Sequence, residues 1–456
     1  MLSEYPFQLI IKNTYPEGHE ESLLCKELLR YLPGKRKVFD AVWNDRDVIV
    51  KIFSDKFKAK RHLKREWTGL TNLKNRKLDA PEPLFYGRTE NSDWAIVTEK
   101  IADSSTALEI LEYFDNYNQK IEFLTMICKQ LAKQHINGVL QKDLHMENFL
   151  LADNKIYTLD PGQITFFEGY VPQNKCISQL AILTLYAPDD NLISRNIIRD
   201  EYFKSRGWEL NNAIDALFHK QIKIQRNKAI KHALKKCLRS SKRHIRIKTE
   251  NHVAVFDKSF YQKSEANEFI NQLDNFITQE HILKDGNTCF VSRLSWNNHD
   301  IVIKRYNHKG FFHSLRHSLK KSRARRVWLN AQKLGMLGIP TAKPLAYIEK
   351  KKGFLIWSSY LVTEYMEGSN LYNFLRDESL PEKTRSIITQ QLKELLDKLA
   401  EHHITHGDLK HSNILITKNG PALTDLDSMR THRFSWTFKI RRTKDLQHFT
   451  QPSQNS

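Results

Sequence analysis

Four residues able to do chemistry recur in this chain at one constant offset. Thr98 and Thr363, Asp143 and Asp408, Asn148 and Asn413, and Asp160 and Asp425 are each 265 residues apart. Each set reads Val-Thr-Glu, then Asp-Leu-x-x-x-Asn with its Asp 45 residues past the Thr, then an Asp 12 residues past the Asn. Internal distances kept equal in two places mark a duplicated domain. The residue types suit phosphoryl transfer, which needs little covalent help and much charge placement. A lysine must hold the α/β-phosphates and an acid must orient the acceptor hydroxyl. An amide and a second acid must hold Mg²⁺, an ion that prefers oxygen ligands and keeps some of its waters.

The first copy supplies Lys51 at the end of Val48-Ile49-Val50-Lys51, Asp143 in QKDLHMEN as base, and Asn148 and Asp160 as metal ligands. Glu66 in KREW, on a helical stretch, is placed to pair with Lys51 and fix its ammonium over the phosphates. The second copy supplies Lys304 in IVIK, Asp408 in HGDLKHSN, Asn413, and Asp425 in LTDLD, with Asp427 either a spare metal ligand or a surface acid. Val327 in RRVW stands where KREW has Glu66, and the acid-free surroundings offer nothing nearer than Asp300 or Glu349, so Lys304 must be held differently. Glu99 and Glu364, closing the Val-Thr-Glu runs, join Lys51, Glu66 and Lys304 as nucleotide-binding candidates. The four histidines 402, 403, 406 and 411 do not read as a zinc site, because His406 opens the catalytic loop.

The elements that must carry these residues follow one order twice. A β-type run (VFDAVWNDRDVIVKIF; CFVSRLSWNNHDIVIKRY) precedes a basic helical stretch, Pro-punctuated strands (PEPLFYG; PTAKPLAYI), and a strand ending in Val-Thr-Glu. A helix follows, with apolar residues three and four apart: Leu124, Ile127 and Leu131, then Leu392, Leu395, Leu396 and Leu399. This predicts an α+β chain of two tandem protein-kinase-like domains, each with a small β-rich lobe and a mainly helical lobe. The expected boundaries are an N-terminal extension at 1–29, domain one at 30–216, a basic helical connector at 217–248, domain two at 249–450, and a disordered tail at 451–456. Within the connector, Leu217, Ile224, Leu234 and Leu238 among Lys and Arg read as an amphipathic helix.

Composition narrows the setting. Five scattered cysteines without CxxC spacing argue against a disulfide framework and for a reducing cytoplasm. The first residues lack a secretory signal pattern, and no apolar run approaches the roughly 18 residues of a membrane span. The formal net charge is +20, concentrated in two fields. Residues 216–248 hold twelve Lys or Arg and no acid, and residues 301–348 hold no Asp or Glu but contain FFHSLRHSLKKSRARR. Such fields attract polyanions. No nucleic-acid recognition motif accompanies them, so nucleic acid is not the expected partner.

With those residues in view, the chain resembles the bacterial lipopolysaccharide core kinases, the Kdo and heptose kinase family. QKDLHMENFLL followed by IYTLDPGQI is similar to that family's catalytic loop and metal strand. SRARRVWLNAQKLGMLGIPTAKPLAYIE, SSYLVTEYMEG and THGDLKHSNILI are similar to another of its branches. The resemblance covers about 30–165 and 280–430. It implies an ATP- and Mg²⁺-dependent sugar kinase acting on an anionic glycolipid at the cytoplasmic side of a Gram-negative inner membrane, in peripheral contact with anionic lipid. Phe311, Phe312 and Leu315 would enter the head-group layer, or else pack on their own lobe. Carried over by position, it gives Lys51, Glu66, Asp143, Asn148 and Asp160, and Lys304, Asp408, Asn413 and Asp425. Gln141-Lys142 before Asp143 departs from the usual His-x, as Val327 departs from the expected acid. The alternatives are a protein Ser/Thr/Tyr kinase, for which no APE-like motif follows either final Asp, and a pair in which one domain regulates the other.

Overall fold

A computed structural model describes residues 5–55, 57–188, 192–261, 263–279, 282–286, 289–307, 321–353 and 355–450. Phe311, Phe312 and Leu315, the rest of 308–320, and the expected tail lie outside the described residues. The chain divides into two compact units, Met1–Asn227 and Lys228–Ser456.

In the first unit, strands β1 (Phe7–Tyr15), β2 (Glu21–Leu32), β3 (Arg36–Trp43), β4 (Arg46–Phe53), β5 (Pro83–Thr89) and β6 (Trp94–Glu99) close a barrel in the order β1-β2-β3-β4-β6-β5. The stretch read as an N-terminal extension is therefore built into the sheet. Its alternation places Ile11, Leu23 and Cys25 in one core with Val48, Val50 and Val97. Asn44 and Asp45, both at positive φ, make the tight turn that sets the β3–β4 register. Helix α1 (Ala59–Asn75) packs Leu63 and Leu70 against Phe53 and Ile96. Beyond β6, helix Tyr117–Ile136 buries Leu124, Ile127 and Leu131 in a second core with Leu180, Ile198, Tyr202 and Phe218. The basic helix Asn212–Lys236 reaches that core through Phe218 and Ile222, with Leu217 only partly buried.

The second unit has a seven-stranded antiparallel sheet. Its order is His244–Lys248, His252–Asp257, Pro344–Lys352, Leu355–Glu364, His299–Asn307, Cys289–Trp296 and Ile282–Gly286. Asn297 and Asn298, again both at positive φ, turn the hairpin that leads into Lys304. Helix Arg323–Met336 buries Val327, Trp328 and Leu334, and helix Glu382–Glu401 buries Leu395 and Leu399 in the same core as Leu409 and Ile414. Both units are thus α+β. They also share a register: Lys51 lies opposite Ile96 and Lys304 opposite Leu361, each partner two residues before the repeated threonine. Among the described residues no helix is long and apolar enough to cross a membrane.

Candidate active site

The repeated residues sit on repeated backbone. Asn148 donates from its side-chain amide to the carbonyl of Asp143 at 3.0 Å, and Asn413 to that of Asp408 at 2.8 Å. The Leu159 N–H donates to the Asn148 carbonyl at 2.8 Å, and the Thr424 N–H to the Asn413 carbonyl at 2.9 Å. Asp160 and Asp425, one residue later, are both left-handed, at φ/ψ of 50°/52° and 52°/60°. For a non-glycine residue that conformation costs roughly 1–2 kcal/mol, and such strain gathers at functional sites. Each loop thereby ties together its Asp, Asn and metal-candidate Asp.

The charges around these loops are arranged differently in the two units. In the first, Lys51 is hydrogen-bonded to Glu66 from α1, and the Glu66 side chain is only 3% exposed. Asp160 stands beside this pair. Burial and then the Glu66 carboxylate raise its pKa above the usual carboxylate range, against the pull of Lys51. In the second unit Lys304 reaches Asp425 at 2.6 Å and Asp427 at 3.3 Å. Burial would raise Asp425, but Lys304 outweighs it and holds the carboxyl below its usual range. Asp427 is not a surface acid: its side chain is only 12% exposed. It also accepts from Arg323 at 2.6 Å and from the Tyr306 hydroxyl at 2.8 Å. The missing partner of Lys304 is therefore found two residues past Asp425, while Asp300 pairs with Arg293 and Glu349 accepts from Ser322.

In the second unit Lys304, Thr363, Glu364, Asp425 and Asp427 line a cavity of about 460 Å³ with apolar walls that include Val291, Val302, Leu415 and Leu423. Apolar walls with a few convergent charges are what a flat base bearing a phosphate chain requires. The Glu364 carboxylate itself is turned to Lys343, 3.1 Å away. The Glu99 side chain is exposed at the end of β6. Asp408 accepts from the Asn413 side-chain amide at 3.0 Å and acts electrostatically on Asp425. Asp143 is exposed, as an acid that meets an incoming hydroxyl must be. Among the described residues no group of three or more His, Cys, Asp or Glu side chains is arranged to ligate a metal. An Asn and an Asp fit Mg²⁺ only as partial ligands completed by phosphate oxygens and water.

Sequence reasoning singled out His406 and Gln141 but missed the partners through which they brace the loops. Asp445, on helix Ser435–Thr450, accepts from the N–H groups of His406 and Gly407 at 2.7 and 2.9 Å. Buried His406 donates through Nε2 to the Thr424 carbonyl at 2.8 Å. In the first unit Gln141 occupies the corresponding place. It donates to Gln134, and Gln134 donates to the Thr158 hydroxyl, making a buried amide chain where the other unit has an imidazole. A distant acid and the second glutamine, Gln134, carry no local signal that sequence could show.

Residues 278–454 match the lipopolysaccharide kinase (Kdo/WaaP) family. The match covers the second unit's cavity and its Asp408–Asn413 loop. Shorter stretches are similar to protein kinases. One is a serine/threonine-protein kinase of Saccharomyces cerevisiae, 34% identical over 84 residues, covering 16% of this chain and 8% of that protein. Another is from Xenopus laevis, 42% identical over 60 residues, 13% of each chain. A probable serine/threonine-protein kinase of Dictyostelium discoideum is 31% identical over 130 residues, 28% of this chain and 16% of that protein. The chain therefore aligns with 8 to 16% of the length of these relatives. Family and relatives together support a phosphotransferase of the kinase type, and the kinase family implies use of ATP.

Proposed function

We propose that this protein transfers the γ-phosphoryl group of ATP to a sugar hydroxyl, of Kdo or heptose, in the inner core of lipopolysaccharide. The reaction would take place at the cytoplasmic face of a Gram-negative inner membrane. The observation that supports this reading is a base-sized cavity lined by Lys304, Thr363 and Asp425, inside the segment that matches a lipopolysaccharide kinase family. The neighbouring loop bonds Asn413 to Asp408 and to the residue before Asp425. Lys304, and Lys51 held by Glu66 in the first unit, would bind the α/β-phosphates. Asp408 and Asp143 would orient the acceptor hydroxyl and take its proton as the new O–P bond forms and the bond to the leaving ADP oxygen breaks. Asn413 with Asp425, and Asn148 with Asp160, would hold Mg²⁺, which when bound neutralises charge on the triphosphate. A positive protein meeting a phosphorylated lipid surface is electrostatically favoured.

The test is purified full-length protein with ATP, Mg²⁺ and lipid A-core taken from cells lacking this protein. A mass gain of one phosphate on the glycolipid supports the reading. Asp143→Ala and Asp408→Ala, assayed separately, divide the activity between the units, and unchanged turnover in both defeats the assignment of these acids. The protein-kinase relatives favour a second reading in which the acceptor is a polypeptide hydroxyl. Label entering protein but never glycolipid would select it.

A further inference from the structure

A groove of about 650 Å³ runs along α1 in the first unit, and its lining is unusual in sign. Lys60, Arg61, Lys64, Arg65 and Lys142 all line it, and no carboxylate does. Among the described residues none of the five forms an ion pair, although Lys60 also lies 5.9 Å over the Trp94 ring. The single acid of α1, Glu66, is buried on Lys51 and gives the groove nothing. Lys60 with Lys64 and Arg61 with Arg65 are like charges four residues apart on a helix, an arrangement that costs a few tenths of a kcal/mol per pair unless an anion answers it. A solvated helix face intersperses acids among its bases. This one does not.

The opposite wall is Pro161, Gly162 and Gln163, which follow Asp160 directly, and Lys142 directly precedes Asp143. Arg65, Gly162 and Gln163 also line a smaller cavity of about 290 Å³ that reaches Glu66 and Asp160 and adds Lys35 and Arg36. The groove is therefore continuous with the candidate site rather than a separate patch. At its rim the Phe57 side chain is 96% exposed. Two arginine forks, three ammonium groups and an exposed ring suit phosphomonoesters on an amphiphile better than a lone small ion.

We propose that this groove is an acceptor subsite, holding phosphate groups already present on the glycolipid while another of its hydroxyls faces Asp143. The inference rests on the glycolipid reading above and names where the first unit grips that substrate. A single phosphate anion and a phosphorylated sugar share this chemistry, so the experiment must separate them.

The full-length variant Lys60→Gln/Arg61→Gln/Lys64→Gln leaves Lys51, Glu66, Asp143 and Asp160 untouched, and its fold is checked by an unchanged melting curve. In the Asp408→Ala background, lipid A-core is compared with the same glycolipid after phosphatase treatment. The variant is expected to raise KM for the phosphorylated acceptor about tenfold or more, with kcat and the KM for ATP within about twofold, and to leave the dephosphorylated acceptor unaffected. Equal KM in parent and variant, or a matching rise in the KM for ATP, overturns the subsite. In a direct binding arm, a soluble disaccharide bisphosphate should bind the parent protein at least about tenfold more tightly than the variant, and inorganic phosphate should not reproduce the difference. Inorganic phosphate binding as tightly as the bisphosphate overturns the acceptor assignment. Variant-sensitive binding of the bisphosphate without phosphorylation of any glycolipid upholds the subsite and sinks the lipopolysaccharide function instead.

Discussion

At Asp160 burial and the Glu66 carboxylate work against ionisation, whereas at Asp425 the Lys304 ammonium overcomes burial and favours it. The two residues share a backbone conformation, so the difference belongs to where the lysine points. A folded-state pKa raised above the unfolded value means the folded protein binds the proton more tightly, and at neutral pH the ionised Asp160 disfavours folding. A lowered pKa has the opposite sign: Asp425 contributes stability above its unfolded pKa and loses it as pH falls through the folded value. Asp160→Asn is therefore expected to raise the melting temperature, by the equivalent of about 1 kcal/mol, while abolishing turnover by the first unit. Asp425→Asn is expected to lower it by less than about 1 kcal/mol, since Lys304 keeps Asp427 and the Asp425 carboxylate is partly exposed. Thermal unfolding of both variants at pH 7 checks this. Destabilisation by both would show that the charge arrangement at Asp160 is wrongly read.

At the scale of elements, the decisive contact in the first unit is α1 against the loop after Asp160. Gly69 allows it: a Cβ there would lie 2.7 Å from both the Cβ and the carbonyl oxygen of Pro161, closer than atoms tolerate, and the obstacle is partly backbone. In the second unit the corresponding helix instead reaches across with Asn330, whose amide donates to the Leu426 carbonyl at 3.1 Å. Gly69→Ala should push α1 outward, carry Glu66 away from Lys51, and cost about 1–3 kcal/mol of stability. Turnover by the first unit, isolated in the Asp408→Ala background, should fall by about tenfold or more, since small misplacements of charged groups weigh heavily on catalysis. Turnover by the second unit, in the Asp143→Ala background, should hold. An unchanged first-unit rate would mean that this helix does not set the lysine. Such contacts were not legible in the sequence, where Gly69 is one more glycine in a helix. What could be read were the elements whose chemistry fixes both residue type and spacing: the Lys-bearing hairpins, the Val-Thr-Glu strands and the Asp-Leu-x-x-x-Asn loops. Strands β1 and β2 were missed because only a weak alternation marks them, and their pairing with β5 and β3 is a tertiary fact. Lys304's second partner and the Asp445 brace were missed for the same reason, as each depends on chain returning from far along the sequence.

For the molecule as a whole, two units with separate cores need not unfold together, and pH offers a way to tell them apart. Inside the first unit His135 is fully buried between the Tyr202 hydroxyl, 2.6 Å from Nδ1, and the Gln179 side-chain oxygen, 2.8 Å from Nε2. Gln179 also donates to the Gln141 carbonyl, so this imidazole supports the strand that leads to Asp143. Burial pushes its pKa down to about 4. Between about 4 and the ordinary value near 6.5, the unfolded chain binds a proton that the folded unit refuses. Stability from this residue is therefore complete above pH 6.5 and is lost progressively as pH falls towards 4, by an amount on the order of 3 kcal/mol. Calorimetry from pH 7.5 to 4.5 should show one transition moving down in temperature as the solution is acidified. His135→Gln, which keeps a hydrogen-bonding side chain but cannot be protonated in this range, should lower that transition at pH 7.5 and reduce its pH dependence. A slope identical in parent and variant would remove His135 as its cause. Buried His244 in the second unit, also shifted down by burial but opposed by Asp257, predicts a shallower dependence for the other transition.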